Sequence, residues 1–180
     1  MRRAEQRTYG LNLSLPKHRY IIRWKGIGGL KWFDLLATIS LMVKKWGYPG
    51  MIVIHLGGND LGFYKTIDII SAIKYDLSQL CLLMPDVALV WSEIIPRLCW
   101  QTGRLKPLEK CRRKLNHTID KFAKQRHIQV YRHHELEDAE EGLFHDDGVH
   151  LSPIGLDIFN TGLQNAIEKA LLVWEGPSPS

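Results

Sequence analysis

Hydrophobic positions along the chain follow two spacings that alternate from the beginning of the sequence to its end. Short runs of apolar and β-branched residues predict strands at 20–24, 51–56, 87–95 and 128–131. Apolar residues that recur every three or four positions predict helices at 31–46, 65–83 and 107–125. Ser152 and Pro153 are typical of the N-cap and first position of one more helix.

This alternation of strands and helices predicts the fold class. Strands that are separated by whole helices need crossover connections, so we expect a parallel sheet with helices on both faces, an α/β three-layer domain. We expect one domain over residues 1–174 and a disordered Pro- and Ser-rich tail over 175–180. Ligands of such sheets bind at the carboxyl ends of the strands, so the turns that follow the strands are where chemistry is expected.

Composition narrows the class of protein further. The chain has 180 residues, of which 45% are hydrophobic, with a net charge of +5. Its three cysteines lie too far apart in sequence to indicate a disulfide framework or a zinc knuckle. No apolar run is long enough to span a bilayer, and the first residues lack the apolar region of a signal peptide. These features favour an intracellular protein, cytoplasmic or nuclear, that has no membrane partner.

Two glycine-containing turns follow the first two predicted strands. Gly28 and Gly29 lie in the run Lys-Gly-Ile-Gly-Gly, whose main-chain N–H groups can donate to an oxyanion, although a tight turn explains the same residues. Asn59 lies in Gly-Gly-Asn-Asp, where its amide can donate to negative charge that develops on a tetrahedral intermediate. A structural turn asparagine is the alternative.

A third candidate precedes the last helix. Asp147 and His150 are three residues apart, a spacing that lets the carboxylate orient an imidazole which then acts as a general base. A loop with an incidental Asp and His is one alternative. A metal-dependent hydrolase is another, since several His and Asp residues cluster in this part of the sequence: His133, His134, His145, Asp146, Asp147 and His150. We favour Asp147 and His150 as a general base with its orienting carboxylate over a metal site, because no two of these histidines share a helix face.

Other polar residues are less specific. Arg97 and Trp100 follow the third predicted strand and can line a substrate groove. The helix at 107–125 carries basic residues that mostly lie off its apolar stripe: Lys110, Arg112, Arg113, Lys114, Lys121 and Lys124. A solvated surface explains them best, and nucleic-acid binding is the alternative.

Taken together and in this order, the turns resemble the SGNH (GDSL-type) hydrolases. The similarity covers residues 18–172 and is carried by three stretches, WKGIGGLKWFDLL, IVIHLGGNDLG and DDGVHLSPIG. Within the family it is greatest to the small flavodoxin-like esterase domains, including those of some vertebrate retroelements. The resemblance implies a flavodoxin-like sheet and hydrolysis of a small ester without metal or cofactor. It assigns His150 as the base, Asp147 as its orienter, and Gly29 and Asn59 as oxyanion donors. Beside these we expect substrate contacts from Gly28, Asp60 and Arg97.

The sequence departs from the family at its first block, a strand followed by the nucleophilic serine. No Gly-Asp-Ser precedes Gly29, and Ser14, Ser92 and Ser152 do not lie at a nucleophile turn. Because the family's sheet order is 2-1-3-4-5, the strand at 20–24 must either pair with that at 51–56 or leave an unpaired edge. We therefore expect a truncated or degenerate hydrolase with little or no turnover, unless an upstream segment supplies the serine. The alternative is a non-catalytic nucleic-acid or protein-binding module.

Overall fold

The computed structural model describes residues 10–100, 103, 105–138 and 140–175. Its sheet has three parallel strands in the order β1 (Met51–Ile54), β2 (Ala88–Ser92) and β3 (Gln129–Tyr131). The helices are α1 (Leu35–Trp46), α2 (Thr66–Leu83), α3 (Leu105–Lys124) and α4 (Pro153–Glu175). Short 3-10 helices cover Trp32–Asp34, His134–Leu136 and Glu141–Leu143. The predicted α/β class with a parallel sheet is confirmed.

Helices cover both faces of this sheet. Helices α1, α2 and α3 contribute to one core cluster, which β1 and β2 complete with Ile54, Leu89 and Trp91. Helix α4 lies on the opposite face and contacts β2 and β3. Its apolar side forms a second cluster, called here the α4 cluster, whose buried members are Leu13, Leu15, Leu136, Phe159, Leu163 and Ile167. The three layers follow from strands that are apolar on both faces and helices that are apolar on one.

The N-terminus of α4 is built as the sequence predicts. The Ser152 hydroxyl accepts a hydrogen bond from the main-chain N–H of Gly155 at 3.2 Å, and Pro153 is the first helical residue. This cap fixes where the helix begins and hence where the preceding loop ends. None of the helices in the described part of the chain is long and apolar enough to cross a membrane. Apart from Glu175, the predicted tail lies outside the described residues.

Residues 20–24 form no strand, so that prediction is wrong. Tyr20, Ile22 and Trp24 are half-buried against the α4 cluster while the residues between them are exposed, which is the burial pattern of a strand. No described strand pairs with this segment, however. The Asn12 side chain instead donates to the Tyr20 carbonyl at 2.9 Å and accepts from the Ile22 N–H at 2.9 Å. The segment has the alternating burial that its sequence predicts, but a strand also requires main-chain hydrogen bonds to a neighbouring strand.

Strand β1 is consequently an edge of the sheet. Of the two outcomes that the sequence left open, direct pairing between residues 20–24 and β1 does not occur. The first three residues of β1 are half-buried, whereas the last four of β2, which is flanked on both sides, are fully buried. The edge of β1 is therefore left without a strand from the described residues.

Candidate active site

The Asp147–His150 pair lies in the loop that leads into α4. Asp147 Oδ2 is 2.6 Å from His150 Nδ1, and Asp147 Oδ1 accepts the main-chain N–H groups of Val149 and His150, both at 2.9 Å. These hydrogen bonds, led by the one from the His150 N–H, hold the pKa of the Asp147 carboxyl well below its usual range. The His150 side chain is 77% exposed. An ionised carboxylate thus orients an imidazole whose Nε2 is accessible to a ligand.

Asn59 follows β1 and is held at both ends of its amide. Its Nδ2 donates to the Leu30 carbonyl at 3.1 Å, and its Oδ1 accepts from Arg97 Nη2 at 3.1 Å. An amide nitrogen carries two hydrogens, so one remains for a ligand. The cation on Oδ1 draws electrons from the amide and strengthens that remaining donor.

Arg97 connects the turns that form this rim. Besides Asn59, its guanidinium lies over the Trp100 ring, 4.9 Å from the centroid. A Cβ at Gly58 would lie 2.8 Å from Nη2, so glycine at this position gives the guanidinium its space. Burial lowers the Arg97 pKa, and the Asp147 charge opposes that effect. Arg97 therefore lies within electrostatic reach of both the amide and the carboxylate.

Main-chain hydrogen bonds bring the His150 loop to the same rim. The N–H groups of Leu98 and Cys99 both donate to the Gly148 carbonyl, at 2.8 and 3.1 Å. Gly148 adjoins Asp147, while Leu98 adjoins Arg97. The residues predicted as base, orienter and amide donor are thus connected through one segment, 97–99, although they lie far apart in sequence.

Gly28 and Gly29 are exposed in the turn beside Leu30. Gly29 has a φ of +71°, a conformation that side chains disfavour, which explains a glycine there. Its N–H makes no hydrogen bond within the described residues. The Asn59 amide fixes this turn through the Leu30 carbonyl, so the unused main-chain donor of Gly29 adjoins in sequence the residue that binds the amide.

Asp60 occupies a different environment from its neighbour Asn59. It is fully buried, and both of its carboxylate oxygens accept the Trp32 main-chain N–H, at 3.1 and 3.0 Å. Burial raises the Asp60 pKa to about 6, although the Trp32 hydrogen bond opposes the shift. Asp60 therefore anchors the turn after β1 to the start of the first 3-10 helix. The substrate contact expected for this residue from the sequence stays a prediction.

A second polar group, not predicted from the sequence, lies at the carboxyl ends of the strands. The Ser92 hydroxyl is 3.0 Å from His55 Nδ1 and 2.8 Å from His133 Nε2. The His133 ring stacks on Phe159 with centroids 4.5 Å apart. Burial lowers the pKa of His55 to about 4 and that of His133 to about 3, so both rings are neutral at pH 7.

The sequence did contain a signal for this group. Ser92 ends β2, while His55 directly follows β1 and His133 follows β3 by two residues. In adjacent parallel strands such positions meet at one edge of the sheet, and alternation places them on one face. Because Ser92 is fully buried between two neutral imidazoles, it donates to one and accepts from the other. We assign this group a structural role in joining three strand ends.

The described part of the chain places neither of the remaining serines as a nucleophile and assembles no metal site. Ser14 is exposed in a turn, and Ser152 is the α4 N-cap. No described serine hydrogen-bonds to His150. No three His, Cys, Asp or Glu side chains of the described residues come together as ligands for a metal ion.

Solved structures with this fold include several hydrolases. A GDSL-like lipase from Bacteroides thetaiotaomicron superposes with a TM-score of 0.68 and 24% identity over 82% of this chain and 75% of its own. A carbohydrate esterase of family 3 from Talaromyces cellulolyticus gives 0.63 and 18% over 83% and 76%.

A serine-to-alanine mutant of an acetyl esterase, solved with an acetate ion, gives a TM-score of 0.66 and 19% identity over 83% of this chain and 72% of its own. No protein-family model matches the sequence, and no curated protein does. The chain therefore shares the fold of these lipases and esterases.

Proposed function

We propose that the rim formed by Gly29, Asn59, Arg97 and the Asp147–His150 pair is the site of an SGNH-type ester hydrolase. The observation that carries the proposal is the 2.6 Å contact between Asp147 and His150. The main chain of Leu98 and Cys99 holds their loop beside Arg97, which binds the Asn59 amide. An oriented base beside amide donors is the arrangement that acyl transfer from an ester requires. The proposal is supported by the fold, which several lipases and esterases share.

Each residue has a separate task in this chemistry. His150 Nε2 takes the proton from the attacking hydroxyl and returns it to the departing alcohol oxygen, while the Asp147 carboxylate stabilises the imidazolium. The Asn59 amide and the Gly29 N–H stabilise the negative charge on the carbonyl oxygen, a contribution of about 3 kcal/mol per donor in comparable sites. Arg97 positions Asn59 through its amide oxygen.

The attacking hydroxyl is the missing part of this site. Among the described residues no serine lies beside His150, so attack on the ester falls to water. Removal of the nucleophile from a serine hydrolase costs several orders of magnitude in rate, and binding and oxyanion stabilisation supply what remains. The described chain alone is therefore an impaired hydrolase with little turnover.

Hydrolysis of p-nitrophenyl acetate tests the proposal. The wild-type rate should exceed the solvent rate only slightly, and His150→Ala and Asn59→Ala should both abolish that excess. His117→Ala is the matched control, since His117 is an exposed histidine on α3. Fast turnover that depends on His150 would show that a nucleophile is present after all.

Acetate binding tests the site independently of turnover. In an NMR titration, acetate should shift the Asn59 side-chain amide and the Gly29 main-chain amide, and Asn59→Ala should weaken its binding. If acetate leaves both amides unshifted and the His150→Ala and Asn59→Ala variants hydrolyse the ester like the wild type, the proposed site is wrong.

A nucleic-acid-binding module remains the second candidate. Helix α3 exposes a set of cations that no described acidic side chain pairs with: Lys110, Arg113, Lys114 and Lys121. Arg112, which the sequence grouped with them, is fully buried and pairs with Glu109 and Glu137. Salt-dependent binding of single-stranded DNA would support this function, and its absence at low salt would exclude it.

A further inference from the structure

A groove with a volume of about 460 Å³ runs along one face of α2. Helix α2 contributes five lining residues, which are related by steps of three and four and therefore share a face: Asp68, Ser71, Ala72, Tyr75 and Asp76. Phe33 of the first 3-10 helix and Leu36 of α1 form the facing wall. We call this feature the α2 groove. None of the residues of the proposed ester site lines it, so it is a separate feature of the surface.

A carboxylate lies at each end of the α2 groove. Asp68 and Asp76 are eight residues apart, which separates them by about 12 Å along the helix axis. Between them the helix presents the small side chains of Ser71 and Ala72. The groove is therefore elongated, with an acidic group at both ends and space between them.

Neither carboxylate has a cation as its partner among the described residues. Asp76 Oδ2 accepts the Trp32 indole N–H at 2.8 Å, and no ion pair between described residues includes Asp68 or Asp76. Burial raises the pKa of Asp76, although the Trp32 hydrogen bond opposes the shift. Lys74, the nearest cation of α2, lies over the Phe122 ring instead. A cation that enters the groove would stabilise the ionised form of a carboxylate that is partly withdrawn from water.

An exposed aromatic ring accompanies each carboxylate. The Phe33 side chain is 53% exposed and that of Tyr75 is 63% exposed. The Phe33 ring contacts Tyr64, two residues before α2 begins, with centroids 4.9 Å apart, so it lies toward the Asp68 end. Tyr75 adjoins Asp76 in sequence. A planar guanidinium can stack on such a ring while it donates two hydrogen bonds to a carboxylate, and an ammonium group cannot form that pair of contacts.

We propose that the α2 groove is a docking site for an extended segment of a partner protein that carries two arginines four residues apart. Alternate residues of an extended chain face the same side, and four residues span about 13 Å, which matches the separation of Asp68 and Asp76. In a helical segment the same two arginines would be only about 6 Å apart along the axis. The residue midway between them faces Ala72 and Leu36, so it is apolar. Two cations for two unpaired carboxylates select this partner by charge complementarity.

Binding of a peptide to the full chain tests the docking site. The probe is acetyl-GRSVSRG-amide, and NMR follows the main-chain amides of Ser71 and Ala72, which should shift and saturate. Acetyl-GRSVRSG-amide has the same composition but places its arginines on opposite faces of an extended chain, so it should bind about tenfold more weakly. Acetyl-GKSVSKG-amide should also bind more weakly than the probe, because its ammonium groups lack the planar stacking surface.

Variants of the chain identify the carboxylates. Asp76→Asn removes the charge but keeps an oxygen acceptor for the Trp32 indole, and it should weaken binding of the probe by about tenfold. Asp68→Asn changes an exposed residue and should also weaken binding, so it decides the question should the Asp76 variant fail to fold. Asp86→Asn is the matched control, because Asp86 is exposed, follows α2 and lies outside the groove. Equal losses in all three variants would indicate a general effect of charge and overturn the proposal.

Three further results would also overturn it. The first is binding of the probe that shifts only amides outside the α2 groove. The second is equal affinity for the two arginine peptides, which would contradict the extended segment. The third is binding of arginine amide alone as tightly as the probe, which would show that the groove holds a small organic cation and not a segment of a protein.

Discussion

The buried imidazole of His133 should make a pH-dependent contribution to stability. Its pKa is lowered by burial from 6.5 to about 3. Below pH 6.5 the unfolded chain therefore binds a proton that the folded chain does not, so stability is lost as the pH falls from 6.5 toward 3. At pH 5 the difference is about 1.5 pKa units, or about 2 kcal/mol.

The stability of the wild type alone would not reveal this effect. Burial raises the pKa of Glu93 to about 7 and that of Asp60 to about 6. These carboxyls hold protons in the folded state that the unfolded chain releases, so their contributions fall as pH rises and oppose that of His133. The comparison must therefore be made between the wild type and a variant in which only His133 has changed.

His133→Gln is that variant, because a glutamine amide can still reach the Ser92 hydroxyl. At pH 7 the free energy of unfolding, measured by urea titration followed by circular dichroism, should be larger for the wild type than for this variant. That advantage should shrink by about 2 kcal/mol at pH 5. His134→Gln, at the exposed neighbouring residue, is the control and should show no such change. An advantage that is the same at both pH values would refute the reasoning.

Two further substitutions test the packing. Arg112→Met should destabilise the fold by about 3–5 kcal/mol in urea titrations, because Glu137 and the Ile94 carbonyl lose a buried partner; exposed Arg113→Met should cost less than about 0.5 kcal/mol. Equal effects would contradict the burial. Asn160→Leu should leave stability unchanged or raise it by about 1–2 kcal/mol, because the amide has no partner to lose. A large loss of stability would show that Asn160 is already paired.

Local sequence patterns predicted the elements of this fold well. The apolar runs at 51–56 and 87–95 became β1 and β2, although both strands end earlier than expected, at Ile54 and Ser92. The helices began and ended close to their predicted bounds, since capping and periodicity are properties of neighbouring residues. The strand expected at 20–24 failed because pairing is a long-range property that alternation alone does not encode.

The site was predictable only where its chemistry is local. The Asp147–His150 contact spans three residues, so sequence spacing already indicates it. The roles of Arg97 and Arg112 are set by distant partners, Asn59 in one case and Glu137 in the other, and no local pattern distinguishes the two arginines. Burial distinguishes Arg97 and Arg112 from the exposed cations of α3. Burial follows from tertiary packing, which a local sequence pattern does not contain.

The residues of the proposed site are held by contacts that do not involve the outer edge of β1. The Asn59 amide is held by Leu30 and Arg97, and the His150 loop is held by the main chain of 97–99. None of these contacts uses the free side of β1. The unpaired edge of β1 therefore leaves the contacts that hold Asn59 and the His150 loop intact. Under the proposed function, such preorganisation means that a hydroxyl beside His150 is the one group still required to complete the chemistry.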